Sequence, residues 1–177
     1  FDADISNWDV SNVTDMTFMF RDATSFNQDI SSWDVSNVTK MLSMFRDATS
    51  FNYDLNSWDV SNVVNMKFMF WDATSFNQDL SNWDLTVLTE AENMLDNSGL
   101  NIANYDATLT GWNQNSNTPD NIELGASDLL YCLSEPDRNN LINNKGWTIS
   151  GDMKDCSGFC NVTAIISNKV DETCHNA

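Results

Sequence analysis

The apolar residues of this chain recur with a period of 25, and the pattern inside one period has two halves. In the second unit, residues 30–35 alternate between apolar and polar, which is typical of a short strand with one face in a core. Residues 36–37, Ser-Asn, are a helix-capping signal. Apolar residues at helical spacing follow them: Val38, Met41, Met44, Phe45 and Ala48. Each unit therefore predicts a strand, a turn, a short helix and a return turn.

Four such units follow one another without insertion, beginning at Phe1, Phe26, Phe51 and Phe76. A fixed period of this length predicts a solenoid whose units stack on their neighbours. We expect an α/β solenoid with parallel strands on one face and short helices or 3₁₀ turns on the other. Its core would hold ladders of like side chains rather than cofactor sites: the four phenylalanines above; Trp8, Trp33, Trp58 and Trp83; Phe20, Phe45 and Phe70; Met16, Met41 and Met66.

The array gives way to a different pattern after residue 97. Apolar residues at spacings of three and four predict an amphipathic helix over 101–112. A second helix is predicted over 135–145 with Gly146 at its C′ position, and strands are predicted at 122–124 and 147–149. We expect three parts: repeats over 1–97, a C-terminal α/β cap over 98–158, and the truncated start of another extracellular module over 159–177.

The formal net charge of −18 excludes partners that are themselves negatively charged. Such a field repels nucleic acids and anionic membranes, whereas it favours solubility and attracts cations. No apolar run reaches the length that a bilayer crossing needs, so direct membrane insertion is not expected. Because Phe1 opens inside a repeat, we expect the sequence to be cut from a longer protein.

Catalysis is not expected. Nucleophilic triads need a base, and the one histidine, His175, lies near the end of the chain. Paired carboxylates are numerous enough for a glycosidase, but carboxylates repeated on a regular face lack the two unlike environments that acid–base chemistry requires. With six glycines, the chain has no Gly-rich phosphate loop.

Aspartates repeat with the same period and would form columns, about 4.8 Å apart from unit to unit. The first column is Asp4, Asp29, Asp54 and Asp79; the second is Asp9, Asp34, Asp59 and Asp84; the third is Asp22, Asp47 and Asp72. Three arrangements would offset the repulsion within a column: hydrogen bonds from turn N–H groups, raised pKa values, or bound cations. The first column is the candidate calcium site, although the chain has no D-x-[DN]-x-[DN]-G loop. No other cofactor is expected.

The second column belongs to a candidate binding stripe. Asp34 lies between Trp33 and Val35, whose side chains are predicted to point inward, so its own side chain would point out of the concave strand face. The equivalent positions add hydroxyl and amide groups: Asn7, Asp9, Ser11, Ser32, Asp34, Ser36, Ser57, Asp59, Ser61 and Asp84. A structural role for the aspartates in turns and solubility is the alternative.

Some positions break the repetition. We call equivalent positions of successive units a slot. One slot holds Asp15, Lys40, Asn65 and Glu90, and this variety predicts solvent exposure. Another slot holds Phe18, Ser43, Phe68 and Asn93. With Trp71 in place of the arginines at 21 and 46, Phe18 and Phe68 would form a small apolar patch on the convex side that contacts another domain or chain. Partial burial against the adjacent helix is the alternative.

All four cysteines lie in the last third of the chain: Cys132, Cys156, Cys160 and Cys174. An even number in an acidic, lysine-poor chain favours disulfides and an oxidising compartment, with three pairings open. Reduced thiols in a cytosolic protein are the alternative. A zinc site is disfavoured because the spacing to His175 matches no recognised finger.

The pattern W-D-V-S-N-V-T-x-M-x-x-M-F-x-x-A-T-S-F-N, present at residues 33–52, resembles the BspA-like leucine-rich-repeat surface proteins of bacteria. The resemblance covers residues 1–97. It implies a leucine-rich-repeat-like, right-handed solenoid at the cell surface, exported across an outer membrane by a route such as type IX secretion. It further implies adhesion to protein or carbohydrate ligands, and it supplies no catalytic residues.

The resemblance extends into the cap, where G-W-T-I at 146–149 closes arrays of this kind, and there it implies a disulfide between Cys132 and Cys156. The segment from Cys160 to Cys174 resembles the opening strands of repeats in SprB-type gliding-motility adhesins. In that case Cys160 and Cys174 would bond each other or cysteines of the missing module.

Two functions follow as expectations. The first is an adhesin or recognition module that binds a protein or carbohydrate at the cell surface through the candidate stripe. The second is a structural spacer, with or without calcium, that has no ligand of its own and contacts neighbouring domains of the same long chain.

Overall fold

The structure, a computed structural model, describes residues 1–157, and within them the 25-residue units stack on one another. Isolated parallel bridges pair Asp15 with Lys40, Lys40 with Asn65, and Asn65 with Glu90, each 25 residues apart. The bridges continue into the cap, where Ala91 pairs with Leu124. Equivalent positions of successive units are therefore hydrogen-bonded neighbours.

The segments that join the units are the halves predicted to be helical. At each junction between units, four N–H groups at alternate positions donate to carbonyl oxygens of the following unit. At the first junction, Met16, Phe18, Phe20 and Asp22 donate to Lys40, Leu42, Met44 and Arg46 at 2.8–3.0 Å. We call residues 15–22, 40–47, 65–72 and 90–97 the ladder segments. Of the two alternatives predicted for this half, short helices or 3₁₀ turns, the helix over 38–48 is wrong, since residues 1–101 as described contain no helix. Turns with bonds three residues back take its place.

The ladder segments satisfy their remaining backbone donors by short turns. In the first unit, the N–H groups of Met19 and Arg21 donate to the carbonyls of Met16 and Phe18, three residues back. The turns need a left-handed backbone at Phe18 (φ 62°) and Asp22 (φ 59°), and the equivalent positions of the other units share it. In residues 16–22 the donors therefore alternate between the next unit and their own turn, except that Thr17 N–H donates to the Asp15 carboxylate at 2.9 Å.

The half predicted to be a strand is a pair of turns. The N–H of Trp33 donates to the carbonyl of Ile30 at 3.1 Å, and that of Val38 donates to Val35 at 2.8 Å. Ile30, Trp33 and Val35 are buried as predicted. Their alternation reflects burial of every second or third side chain by a turning backbone, so the predicted strand at 30–35 is wrong.

The core consists of the predicted ladders. Phe26 stacks on Phe51 with 5.7 Å between ring centroids, and Phe51 stacks on Phe76 at 6.1 Å. Each buried tryptophan of the tryptophan ladder also donates its indole N–H to a carbonyl 28 residues back, as Trp58 does to Ile30 at 3.1 Å. The first rungs, Phe1 and Trp8, are exposed.

The cap contains two helices and four short strands. These are α1 (Ile102–Gln114), β1 (Glu123–Gly125), β2 (Leu130–Tyr131), α2 (Glu135–Lys145), β3 (Thr148–Ser150) and β4 (Met153–Lys154). β1 pairs with β3 and β2 with β4, both in parallel. Both helices and the first and third strands lie within two residues of their predicted positions, and Gly146 takes the left-handed conformation after α2 (φ 71°). Within residues 1–157 no helix has the length and apolarity needed to cross a membrane.

The cap continues the hydrogen bonding of the array. Leu95 N–H donates to the carbonyl of Gly125 at 3.0 Å, and Asn97 N–H donates to that of Ser127 at 2.9 Å. A Cβ at position 125 would lie 2.4 Å from Asn93 Cα, so this close approach requires glycine. The edge left by the fourth unit is thereby covered.

A buried ionic cluster holds the cap together. The Arg138 guanidinium donates to both carboxylate oxygens of Asp152, at 2.7 and 2.6 Å. The hydroxyl of Tyr105 donates to Asp152 at 3.0 Å, and burial raises the pKa of this tyrosine well above its ordinary value. The carboxylate is therefore paired and hydrogen-bonded, as a buried charge must be.

Candidate interaction surface

The first aspartate column lies in turns. Each carboxylate accepts the N–H of the residue two positions later, and Asp29 accepts that of Ser31 at 3.0 Å. The distances elsewhere in the column are 2.8–3.0 Å. Hydrogen bonds from the Ser6 and Ser31 groups hold the pKa of Asp4 and of Asp29 below the ordinary range. These residues form Asx-turns, the first of the three arrangements considered.

The candidate stripe is built in the same way and lies on turns rather than on a strand. Asp34 accepts the hydroxyl of Ser36 at 2.6 Å and its N–H at 3.1 Å. These bonds lower the pKa of Asp34, and the same pattern at Ser11 lowers that of Asp9. For Asp9 and Asp34 the direction is therefore opposite to the raised pKa values considered above. Asp59 and Asp84 accept the N–H groups of Ser61 and Thr86 at 3.1 Å, while Asn7, Ser32 and Ser57 are exposed beside them.

The aspartate columns do not converge on a common point. Among residues 1–157, no group of three or more His, Cys, Asp or Glu residues is placed to hold a metal ion. In the first column each residue has at least one carboxylate oxygen engaged by its own turn, and Asp79 has both engaged by Ser81. Calcium along Asp4, Asp29, Asp54 and Asp79 stays a prediction.

Cys132 and Cys156 form a disulfide, with 5.0 Å between their Cα atoms, as the family resemblance implied. The bond lies next to the pairing of β2 with β4, so it ties the last described strand to the cap. Cys160, Cys174 and His175 lie outside the described residues, and the pairing of these two cysteines stays a prediction.

The ladder segments carry much of the surface that differs from unit to unit; the position of Ala3, Gln28, Tyr53 and Gln78 varies outside them. All four lysine and arginine residues of residues 1–100 lie in the ladder segments, together with three of the four aromatic residues outside the core ladders, at positions 18, 68 and 71. We call this set the ladder face: Phe18, Arg21, Lys40, Arg46, Lys67, Phe68 and Trp71. Phe18 is 48% exposed, and Phe68 and Trp71 are half-buried. Phe18 is therefore exposed, as the predicted patch requires, whereas Phe68 and Trp71 are partly buried, as the alternative predicted.

Arg46 is the centre of the ladder face. Its guanidinium carbon lies 3.9 Å from the Trp71 ring centroid and 5.9 Å from that of Phe68. Its Nε donates to Asp47 at 3.2 Å. The two rings are 5.5 Å apart. Aromatic side chains and a stacked arginine thus form one ordered platform.

The charges next to this platform are paired. Lys67 Nζ lies 3.2 Å from Glu90 and 3.1 Å from Glu92, and these hydrogen bonds raise the pKa of the lysine. Lys40 lies 3.9 Å from Asp15. The ladder face is therefore locally balanced, in contrast to the aspartate-rich turns.

Sequence reasoning recognised Phe18, Phe68 and Trp71 but missed the role of Arg46. The signal was present, because Arg46 and Trp71 occupy the same slot of neighbouring units. Side chains in one slot meet when units stack, and Arg21 stacks similarly on Phe18 within one unit, at 5.3 Å.

Comparison with known proteins identifies one family. The family model described as "Mycoplasma protein of unknown function, DUF285" matches residues 1–116, which include all four units and the whole of α1. No curated protein and no solved structure matches the chain.

Proposed function

Because the chain belongs to the family of Mycoplasma proteins of unknown function, DUF285, whose description assigns no activity, we propose from its surface that it is an interaction module of a bacterial cell-surface protein. In this proposal it binds a protein partner through the ladder face. It is an adhesin-type module and not an enzyme.

The observation that carries the proposal is the contrast between two parts of one array. The core ladders and the Asx-turns repeat almost unchanged, as their structural roles require. The ladder face does not: one slot holds Arg21, Arg46, Trp71 and Asp96 in turn. A stack needs no such variety on its outside, whereas a binding surface does.

The residue types favour a protein partner. Tryptophan, phenylalanine and arginine are enriched where protein interfaces derive most of their binding energy. Trp71 and Arg46 are held in place by each other and by Asp47, so little side-chain freedom is lost on binding. The candidate stripe is a weaker site, since its carboxylates already bond their own turns.

Two further parts of the proposal, the extracellular location and the BspA-like classification, rest on features other than the ladder face. A disulfide supports an oxidising, extracellular compartment. The repeat consensus supports a BspA-like, leucine-rich-repeat-type right-handed solenoid, and an outer-membrane-exported adhesin would carry such a module.

A spacer is the second candidate function. The regular ladder of backbone bonds favours it, because a uniform stack transmits load without a unique site. The two functions differ at Trp71: the interaction module needs this side chain to bind its partner, whereas the spacer does not.

The direct test compares two double variants in pull-downs from bacterial-surface and matrix extracts, with captured proteins identified by mass spectrometry. Arg46→Ala/Trp71→Ala should lose the proteins that the parent chain captures. Asp34→Ala/Asp59→Ala, on the candidate stripe, should retain them. Equal capture by the parent chain and the first variant, with both folded by circular dichroism, would reject the ladder face.

A further inference from the structure

A groove lies where the fourth unit meets the cap. One wall is the turn at Ser81 and Asn82, and the other is the side of α1 that carries Ala107, Thr110 and Gly111. Gln114 and Asn115 complete the lining. Its volume of 570 Å³ falls within the range of roughly 300–1,000 Å³ that is usual for small-molecule sites.

The two walls are held rigidly together. Trp112 donates its indole N–H to the carbonyl of Leu80 at 2.9 Å, and Leu80 N–H donates to the hydroxyl of Thr108 at 3.1 Å, both in the buried interior. Gly111 permits this contact, because a Cβ there would lie 2.4 Å from the carbonyl oxygen of Ser81. The groove is therefore formed before any ligand arrives.

The lining is uncharged in a chain of net charge −18. The hydroxyls of Ser81 and Thr110 donate to Asp79 and Asp137, each at 2.9 Å. Their hydrogens are thus used, and their oxygens keep lone pairs for a donor. The amides of Asn82 and Gln114 add donors and acceptors, and the Ala107 methyl adds an apolar contact.

We propose that this groove binds a neutral saccharide unit. Sugar hydroxyls donate to the Ser81 and Thr110 oxygens and exchange hydrogen bonds with the two amides, while a C–H face of the ring lies on Ala107. An anionic sugar is disfavoured because Asp79 and Asp137 lie directly behind the hydroxyls. This site is separate from the ladder face and does not depend on it.

The test is binding of the full chain to immobilised neutral oligosaccharides of glucose, galactose, mannose or N-acetylglucosamine, with hyaluronan as the anionic probe. We expect at least one neutral probe to bind, and Asn82→Ala/Gln114→Ala to weaken it by about tenfold, the effect of losing two hydrogen bonds. The control is Ser116→Ala/Asn143→Ala. Both residues are exposed and outside the groove, Ser116 beyond α1 and Asn143 on α2, so this control should bind like the parent chain.

Three results would overturn the saccharide site: binding of none of the neutral probes, a preference for hyaluronan, or equal affinity for the parent chain and Asn82→Ala/Gln114→Ala. Equal weakening by the control variant would also overturn it. The ladder-face variant Arg46→Ala/Trp71→Ala should leave saccharide binding unchanged, so failure of one site is distinguishable from failure of the other.

Discussion

The indole N–H of Trp112 donates to the carbonyl of Leu80 at 2.9 Å, which repeats in the cap the bond that each buried tryptophan of the array makes to an earlier unit. Trp83 makes the preceding bond, to Leu55, also at 2.9 Å. Trp112 lies in α1, whereas the tryptophans of the array lie in turns, so a helical residue continues the series of tryptophan hydrogen bonds. The cap is a continuation of the stack rather than a separate body beside it.

Trp112→Phe should therefore destabilise the whole chain. The change removes one buried hydrogen bond and part of a fully buried ring, at a cost of about 2 kcal/mol. Urea unfolding measures it as a lower midpoint. Trp8→Phe is the control, because Trp8 is 54% exposed and should change stability little. Equal effects of the two substitutions would contradict the continuation of the ladder.

Asp106 organises the start of α2. Its buried carboxylate accepts the N–H groups of Cys132, Leu133 and Ser134 at 2.8–3.0 Å, and the hydroxyl of Ser134 at 2.5 Å. Asp106→Asn should lower the free energy of unfolding by about 3 kcal/mol, since an amide nitrogen would face backbone donors. The exposed Asx-turn variant Asp59→Asn should cost far less in the same urea titration. If the Asp106 variant is as stable as the parent chain, the carboxylate does not hold this turn.

The Asx-turns make a prediction about pH. The hydroxyl and N–H of Ser36 lower the pKa of Asp34 in the folded state, so this carboxylate stabilises the fold above its unfolded pKa of about 3.9. That contribution is lost as the pH falls through the lower, folded value. A carbon-13 NMR titration should place Asp34 below its ordinary pKa, and Ser36→Ala should move it back upward. A pKa above the ordinary value would indicate instead that repulsion along the column dominates.

The disulfide should stabilise the cap. In the chain-entropy model, closing the loop between Cys132 and Cys156, 24 residues apart, contributes about 3 kcal/mol. Cys132→Ser/Cys156→Ser should unfold at a correspondingly lower urea concentration. Reductant should have the same effect on the parent chain and none on the variant. If reduction leaves the stability of the parent chain unchanged, the disulfide does not stabilise the cap. It would then cross-link a segment that is not firmly packed in the folded state.

The cap could be predicted from sequence because its signals are local. Asn101 caps α1 by accepting Asn104 N–H at 2.9 Å, and Gly146 ends α2 in the left-handed conformation. Each signal depends on one residue and its immediate neighbours. No knowledge of the partner elements was needed.

The two halves of the repeat could not be assigned in the same way. Apolar residues spaced three and four apart fit a helix, but they also fit successive turns that bury Met41, Met44 and Phe45. The deciding feature is the left-handed backbone at Ser43 (φ 52°) and Asp47 (φ 59°). Aspartate is enriched in that conformation, so its recurrence at positions 22, 47 and 72 was a signal against a helix.

The candidate surface was predicted only in part, for a related reason. Aspartate followed two positions later by serine is an Asx-turn pattern, which explains why the stripe at Asp34 and Ser36 lies in turns. The platform of Arg46 and Trp71 depends on contact between units, and that contact follows from the position of the ladder. Once the ladder is assigned to the wrong half, the surface it presents is assigned wrongly too.

The most direct test of the ladder face removes one 25-residue unit at a time and measures capture of the surface proteins bound by the parent chain. Deleting 26–50 brings Arg21 into the slot of Arg46 beside Trp71, so we predict that binding is retained. Deleting 51–75 removes Phe68 and Trp71 while keeping the register of the stack, so we predict that binding is lost. A spacer would treat both deletions alike, and equal binding by the two folded deletion variants would contradict the proposed function.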